Sequence, residues 1–376
     1  MKKSFLPVLF SLAVLVFSVQ PVGAKTWRVN NKSNYNGSTL WGDNFGGSAA
    51  YPVFVEINQA VAFGIVNNGD TLHVEGSTQI YNFGTITKKL VIIGTGYFLT
   101  DNPSTSNATL SSRIEYIVFN TNSQGSQVIG LDVVNNGNTA DGYVYVSVND
   151  ITVKRCRIER GVRFETLLSD AIIVQNFFPN TINTNCLFTN GNTFFVPPTG
   201  IIFNNNICQK TLTWGTPIAN PTTHWPLSQC NNNVFDGPDN LVTPSLAFST
   251  SEFRNNILMA TNAVVNMLAS AGVMGYNIGT LATQFGTTNN NLVVPAITTL
   301  FVNSVSKDGM YQVAAGSSAN NNGFDGTDRG AFGGAVINNR YTLSGLAPIP
   351  VIYEINSSGV ANASGLPVII KARIIK

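Results

Sequence analysis

Phe203-Asn204-Asn205-Asn206-Ile207, Cys230-Asn231-Asn232-Asn233-Val234 and Phe253-Arg254-Asn255-Asn256-Ile257 repeat one phrase: an apolar residue, polar residues ending in Asn, then a β-branched residue. Looser echoes place Asn185 before Cys186 and Asn277 before Ile278, so the terminal asparagines are separated by 21, 27, 23 and 21 residues. A period that drifts within the twenties, with no helix-forming run between copies, is that of a solenoid whose coils keep one corner constant. Strands of successive coils stack about 4.8 Å apart, so like residues lie over like. An Asn at the corner then passes its side-chain amide to the next coil and continues the hydrogen-bond ladder where the strand bends. Apolar residues at fixed phase, as in Ile172-Ile173-Val174, Ile201-Ile202-Phe203 and Ala247-Phe248, are expected to fill the interior.

The rest of the composition agrees. Charged residues are only 11% of the 376, against about 25% in ordinary soluble domains, while hydrophobic residues hold at 44%. Uncharged polar groups replace the missing charge, with 34 Gly and 47 Asn, residues that tolerate left-handed backbone angles and allow frequent tight turns. A net charge of +2 gives no general pull toward nucleic acid.

At the start, Lys2 and Lys3 precede the apolar run Phe5 to Val19, and Val22-Gly23-Ala24 offers small residues for cleavage. This reads as a secretory signal peptide over 1–24, cut after Ala24, with no transmembrane segment thereafter and a secreted or outer-surface location. Cys156, Cys186, Cys208 and Cys230 are spaced by 30, 22 and 22 residues, close to the repeat, which favours buried thiols stacked in successive coils over disulfides.

Apolar residues at 54, 57, 60 and 61 predict a short amphipathic helix within 53–62, placed to cover an open solenoid end. Gly69-Asp70-Thr71 then leads into the alternating strand Thr71-Leu72-His73-Val74-Glu75, with His73 outward, and Lys89 to Gly94 forms a second strand. This order of helix, GDT strand and ITKKLVIIGTG over 86–96 resembles the first coils of the right-handed parallel β-helix proteins of the pectin-lyase-like superfold, exported bacterial type. Gln127 to Val133 resembles their next coil, and Asp325-Gly326-Thr327-Asp328-Arg329-Gly330-Ala331-Phe332-Gly333-Gly334 their closing segment. The resemblance spans about 27–334 and implies architecture, not activity, because that superfold carries lyases, hydrolases, adhesins and proteins without a known reaction. The expected fold is thus all-β, a right-handed parallel β-helix over 25–334 with a short N-terminal capping helix, followed by a C-terminal β tail over 335–376. In that tail, Pro350–Ile355 and Pro367–Ile375 read as two strands that pair with each other and lie against the body or its last coil, a structural cap set against a sorting or attachment tail.

The densest charge lies in residues 151–166, where Lys154, Arg155, Arg157, Arg160 and Arg163 accompany Glu159 and Glu165. Strand alternation turns Arg157 and Arg163 outward with Glu159 and Glu165, so that several cations share one face. One reading is a cleft for an acidic polysaccharide, with Arg157, Arg160 and Arg163 as ligand-binding residues. If the protein is a lyase, Lys154, Arg157 or Arg163 would take the proton α to a uronate carboxyl. The plainer reading is a solvated strand face with weak Arg/Glu pairs. A lyase also needs the substrate acid neutralised, and Ca²⁺ enters only under that alternative. Asp236-Gly237-Pro238-Asp239 supplies the weak metal candidates Asp236 and Asp239, although such a sequence is more often a turn. No other cofactor is implied.

The excursion from Trp214 to Ser228, with Pro217, Pro221 and Pro226, is expected to loop out of its coil. Trp214, His224 and Trp225 there, with Phe235, form a possible stacking platform for a sugar ring, set against Trp residues that simply pin the loop. Serine-hydrolase elbows and phosphate loops do not occur in the sequence. The chain therefore reads as a non-catalytic glycan-associated binding or structural scaffold whose partner is a polysaccharide or cell-surface glycan. The alternative is a polysaccharide lyase acting by β-elimination on an acidic glycan.

Overall fold

A computed structural model describes residues 23–35, 43–165, 168–181, 185–189, 196–216, 222–239, 244–269, 273–357, 359–361 and 365–375. Residues 1–22 of the expected signal peptide, and Pro217 and Pro221 of the proline-rich excursion, lie outside these residues. Among the described residues, the coils build parallel sheets, the largest of eight, nine and five strands, stacked as a β-helix-like solenoid.

One coil shows the plan. Thr152–Lys154 lies in the eight-stranded sheet, Arg157–Ile158 in the nine-stranded sheet and Gly161–Phe164 in the five-stranded sheet. In register, Val153 lies over Ile173, and Ile173 over Phe203. Inward residues of all three faces meet in one apolar interior, including Val153, Ile158, Val162 and Phe164. Burial of each such side chain contributes about 2 kcal/mol.

The corner that leads into the nine-stranded sheet sets the register. There the chain passes through the left-handed region at Arg155, Gln175, Asn205, Asn232, Asn255, Tyr276 and Asn290 (φ between 55° and 60°). Asn tolerates this conformation best among side-chain-bearing residues, which explains its density in the repeated phrase. From the second of these corners onward, the next residue is a fully or nearly buried Asn: Asn176, Asn206, Asn233, Asn256, Asn277 and Asn291. Each Oδ1 from Asn206 onward accepts both the backbone N–H and the Nδ2 of the Asn one coil before, at 2.9–3.2 Å. Each Nδ2 from Asn176 to Asn277 also donates to a carbonyl of an earlier coil, for instance Asn256 to Cys230. The ladder expected at this corner is therefore present, with one correction. Asn185 belongs to a different corner, where it donates to the carbonyls of Leu187 and Thr213. The true predecessor is Asn176, 30 residues before Asn206, because residues inserted after the nine-stranded sheet lengthen that coil.

All four cysteines are buried free thiols. They do not stack at one phase. Cys156 occupies a ladder position, Cys186 pairs at the entry to the five-stranded sheet, Cys208 is in the nine-stranded sheet and Cys230 stands two residues before the left-handed Asn232. Burial pushes the Cys156 thiol up to about 12.

At the N-terminal end, Val53–Phe54 pairs with Arg28-Val29, so the helix begins only at Ile57 and runs to Ala62. It buries Ile57, Ala60 and Val61 against the first strands. Asp70 of the Gly-Asp-Thr turn accepts from the Trp27 indole at 2.7 Å and from the Lys25 backbone N–H, tying the first strand to the second coil.

Coil strands stop at Leu292–Val293, and the chain then runs back. Outward positions of the nine-stranded sheet change from charged (Arg113, Asp132, Arg157) to apolar (Phe177, Ile207, Val234, Ile257, Ile278). Ile297, Leu300, Tyr311, Ala319, Ala331 and Tyr341 cover that apolar stripe. From Asp325 through Gly334 to Leu346 the chain forms a strap along the left-handed corner. Arg329 donates to the carbonyls of Asn277 and Asn290, Asn205 to those of Ala331 and Gly333, and Arg155 to that of Leu346. Tyr97 and Tyr341 share a hydroxyl hydrogen bond of 2.7 Å. Buried Asp308 accepts from Asn102, Ser306, Tyr341 and the Ser344 backbone.

The tail strands Pro350–Ser357 and Val368–Ile374 pair antiparallel, as expected. They lie near the first coils: Ile352 accepts from the Asn107 backbone, and Leu99, Leu346 and Ile375 form a small core at the base.

Both the ladder and the strap can be tested through stability. Asn256→Ala strands the Cys230 carbonyl and the Asn233 N–H inside the corner, so urea unfolding should show a loss of about 2–4 kcal/mol; exposed Asn322→Ala should stay within about 0.5 kcal/mol. Asp308→Ala should lower the melting temperature, and limited proteolysis should cut first within 295–347 while the coils stay protected.

Candidate functional site

The basic run does not form one face. A coil turns two corners within it, so Lys154 stands on the eight-stranded sheet, Arg157 on the nine-stranded and Arg163 on the five-stranded. Alternation does turn Ile158, Val162 and Phe164 inward, with Arg157 and Arg163 partly exposed, but the expectation of a shared cationic face fails because the strands are too short to stay in one sheet.

Each cation also has its own engagement. Lys154 Nζ lies 3.5 Å from the Asn338 carbonyl of the strap, and burial depresses its pKa. Arg157 bridges Asp132 and Glu159, both at 2.8 Å, and lies against the Phe98 ring. Burial opposes its charge, but the two carboxylates outweigh this and hold its pKa above the usual value. Arg160 donates to the carbonyls of Thr139 and Asn138 and to Asn135 Oδ1. Arg163 pairs with Glu165 at 2.8 Å. A lyase base and its anion-binding partners are thus not gathered from Lys154, Arg157 and Arg163.

The tryptophan platform is also corrected. Trp214 is fully buried and Trp225 is 3% exposed; they meet edge to face at 5.0 Å, and Phe164 packs on Trp214. They plug the interior at the base of the Gly215–Thr216/Thr223–His224 ribbon, with half-buried His224 beside them. Phe235 is likewise interior. Pro226 sits in an edge strand, where a missing N–H is tolerated. Asp236 and Asp239 serve separate contacts, Asp236 accepting from the Tyr311 hydroxyl and Asp239 from Asn262. Among the described residues no three His, Cys, Asp or Glu side chains gather as a metal site. No helix among them is long and apolar enough to cross a membrane.

The richest outward chemistry is on the five-stranded sheet, where the sequence reading singles out Arg163 but none of the aromatic rings. Along successive coils the outward positions run Thr85, Val118, Tyr145, Arg163 and Phe188, and beside them lie Phe83, Tyr116 and Tyr143. Phe83 and Tyr116 stack at 5.0 Å and 4°; Tyr116 meets Tyr145 at 5.6 Å and 78°, and Tyr143 meets Phe188 at 5.6 Å and 87°. The Arg163 guanidinium lies over Tyr145 and Tyr143 at 5.6 and 6.0 Å, and Arg160 over Tyr143 at 5.7 Å. Phe83 is 39% exposed, and Tyr116, Tyr145 and Phe188 are half-buried. Five strands span about 19 Å along the axis. Uneven coil lengths hide these rings from a period search; aligning coils by their inward pairs, Ile117/Phe119 with Val144/Val146, would have exposed them.

Two carboxylates flank the Phe83 end. Asn82 Nδ2 donates to Glu56 at 3.0 Å and Asn136 Nδ2 to Glu115 at 3.0 Å. Burial, aided by repulsion from Glu115, pushes Glu56 up to about 7. No known protein family, curated protein or solved structure matched the chain significantly.

Because the Glu56 pKa is raised in the folded state, its contribution to stability is full below the ordinary carboxylate value of 4.5 and is lost as pH rises through about 7. Melting temperatures of the wild type should therefore fall across that window, and Glu56→Gln should flatten the fall.

Proposed function

We propose that this chain is an exported scaffold, a right-handed parallel β-helix of the pectin-lyase-like type, that binds an extracellular or cell-surface glycan along its five-stranded face without cleaving it. Right-handedness rests on the near-universal hand of crossovers between parallel strands. Export rests on Lys2, Lys3 and the apolar run ahead of Ala24. The observation that carries the binding reading is the outward run Phe83, Tyr116, Tyr145 and Phe188 with Arg163 laid across it.

Pyranose rings present apolar C–H faces that pack on aromatic side chains, and their hydroxyls bond to carboxylates, amides and guanidinium groups. Rings carried on stacked strands, or directly before them as Phe83 and Tyr116 are, are held in place by the sheet, so a rigid extended chain meets them at little entropic cost. Outward aromatic side chains are otherwise an expensive use of a solenoid surface.

Retention of the purified mature protein on a panel of insoluble and immobilised polysaccharides tests the reading. At least one should retain the wild type, with affinity falling about tenfold or more in Tyr116→Ala and Tyr145→Ala, and with unchanged circular dichroism. A panel that retains neither wild type nor variants refutes it, and ultraviolet absorbance from unsaturated uronate products would replace it with the lyase.

A further inference from the structure

We infer that the glycan bound on the five-stranded face is an uncharged, hydroxyl-rich chain and not a uronate or sulfated polymer. The inference rests on the binding reading above and is carried by the charge arrangement of the face.

Its two cations are already committed. Arg163 is paired with Glu165 at 2.8 Å, and Arg160 is turned onto the carbonyls of Thr139 and Asn138 and the Asn135 side chain. Both guanidinium groups also rest on the Tyr143 ring, which spends their flat faces on aromatic contact. An anionic sugar would have to displace Glu165 from Arg163, exchanging one carboxylate for another with no net gain.

Beyond Arg163 the face is acidic. Glu115 and Glu56 lie next to the Phe83–Tyr116 stack, near enough that repulsion from Glu115 adds to the burial that raises the Glu56 pKa. A carboxylate or sulfate carried to these rings would meet like charge, a penalty that specificity commonly exploits. A neutral sugar hydroxyl instead donates to Glu115 or Glu165 in a charge-assisted hydrogen bond, and accepts from the amides of Asn82 and Asn136. The carboxylates and amides of the face are thus matched by hydroxyls, whereas an acidic chain finds no uncommitted cation there among the described residues.

Isothermal titration with neutral hexasaccharides (β-glucan, xylan and mannan types) and with oligo-uronates, each at low and high salt, decides it. At least one neutral oligosaccharide should bind with an affinity that salt leaves within about twofold, since screening acts only on charge pairing. Tyr116→Ala should weaken this about tenfold, and Glu115→Gln by less. Glu115→Lys should admit oligo-uronates that the wild type rejects. Uronate binding by the wild type that fades with salt overturns this inference and leaves glycan binding intact. Failure of every oligosaccharide overturns both.

Discussion

The hydrogen bond that each corner asparagine passes to the next coil is the constraint on which the molecule depends. A strand that bends must interrupt its ladder, and a buried N–H or carbonyl left there costs about 1–3 kcal/mol. From Asn176 to Asn291 the side-chain amide fills that gap at every coil. The left-handed residue just before each ladder position makes the bend sharp enough for the amide to reach its neighbour. Coil length is then free to vary, from 14 residues between Asn277 and Asn291 to 30 between Asn176 and Asn206, because only the corner must register.

Much of this was legible in the residues themselves. Asn206, Asn233, Asn256 and Asn277 announced the corner, and the helix buries Ile57, Ala60 and Val61 as their spacing required. What misled was reading along the chain where the structure reads across it. Lys154, Arg157 and Arg163 look contiguous over ten residues, yet two corners send them to three faces. Trp214 and Trp225 look like a loop's chemistry, yet they are buried against each other in the solenoid interior. Phe83, Tyr116, Tyr145 and Phe188 are far apart in sequence and become neighbours only when coils are stacked. Asn185 had the right local phrase and the wrong corner.

The same stacking gives the five-stranded face its character. Outward positions there escape the covering that the return segment lays over the nine-stranded sheet, and inward positions are spent on the interior. Side chains left over after packing are the only ones at liberty to recognise anything, and on this face they are rings, amides and carboxylates.

The strap from Asp325 to Leu346 has a consequence for how the molecule can change. An open solenoid tolerates gain or loss of a coil, because each unit touches only its neighbours. Here the hydroxyls of Tyr97 and Tyr341 join across 244 residues, and Asp308 bonds Asn102 across 206. The returning chain meets the corner at Asn277, Asn205 and Arg155 in turn, so it acts as a measuring tape laid against the coils. Adding or deleting a coil would shift every later mark by about 4.8 Å. The number of coils is thereby fixed, and with it the length of surface available to a partner.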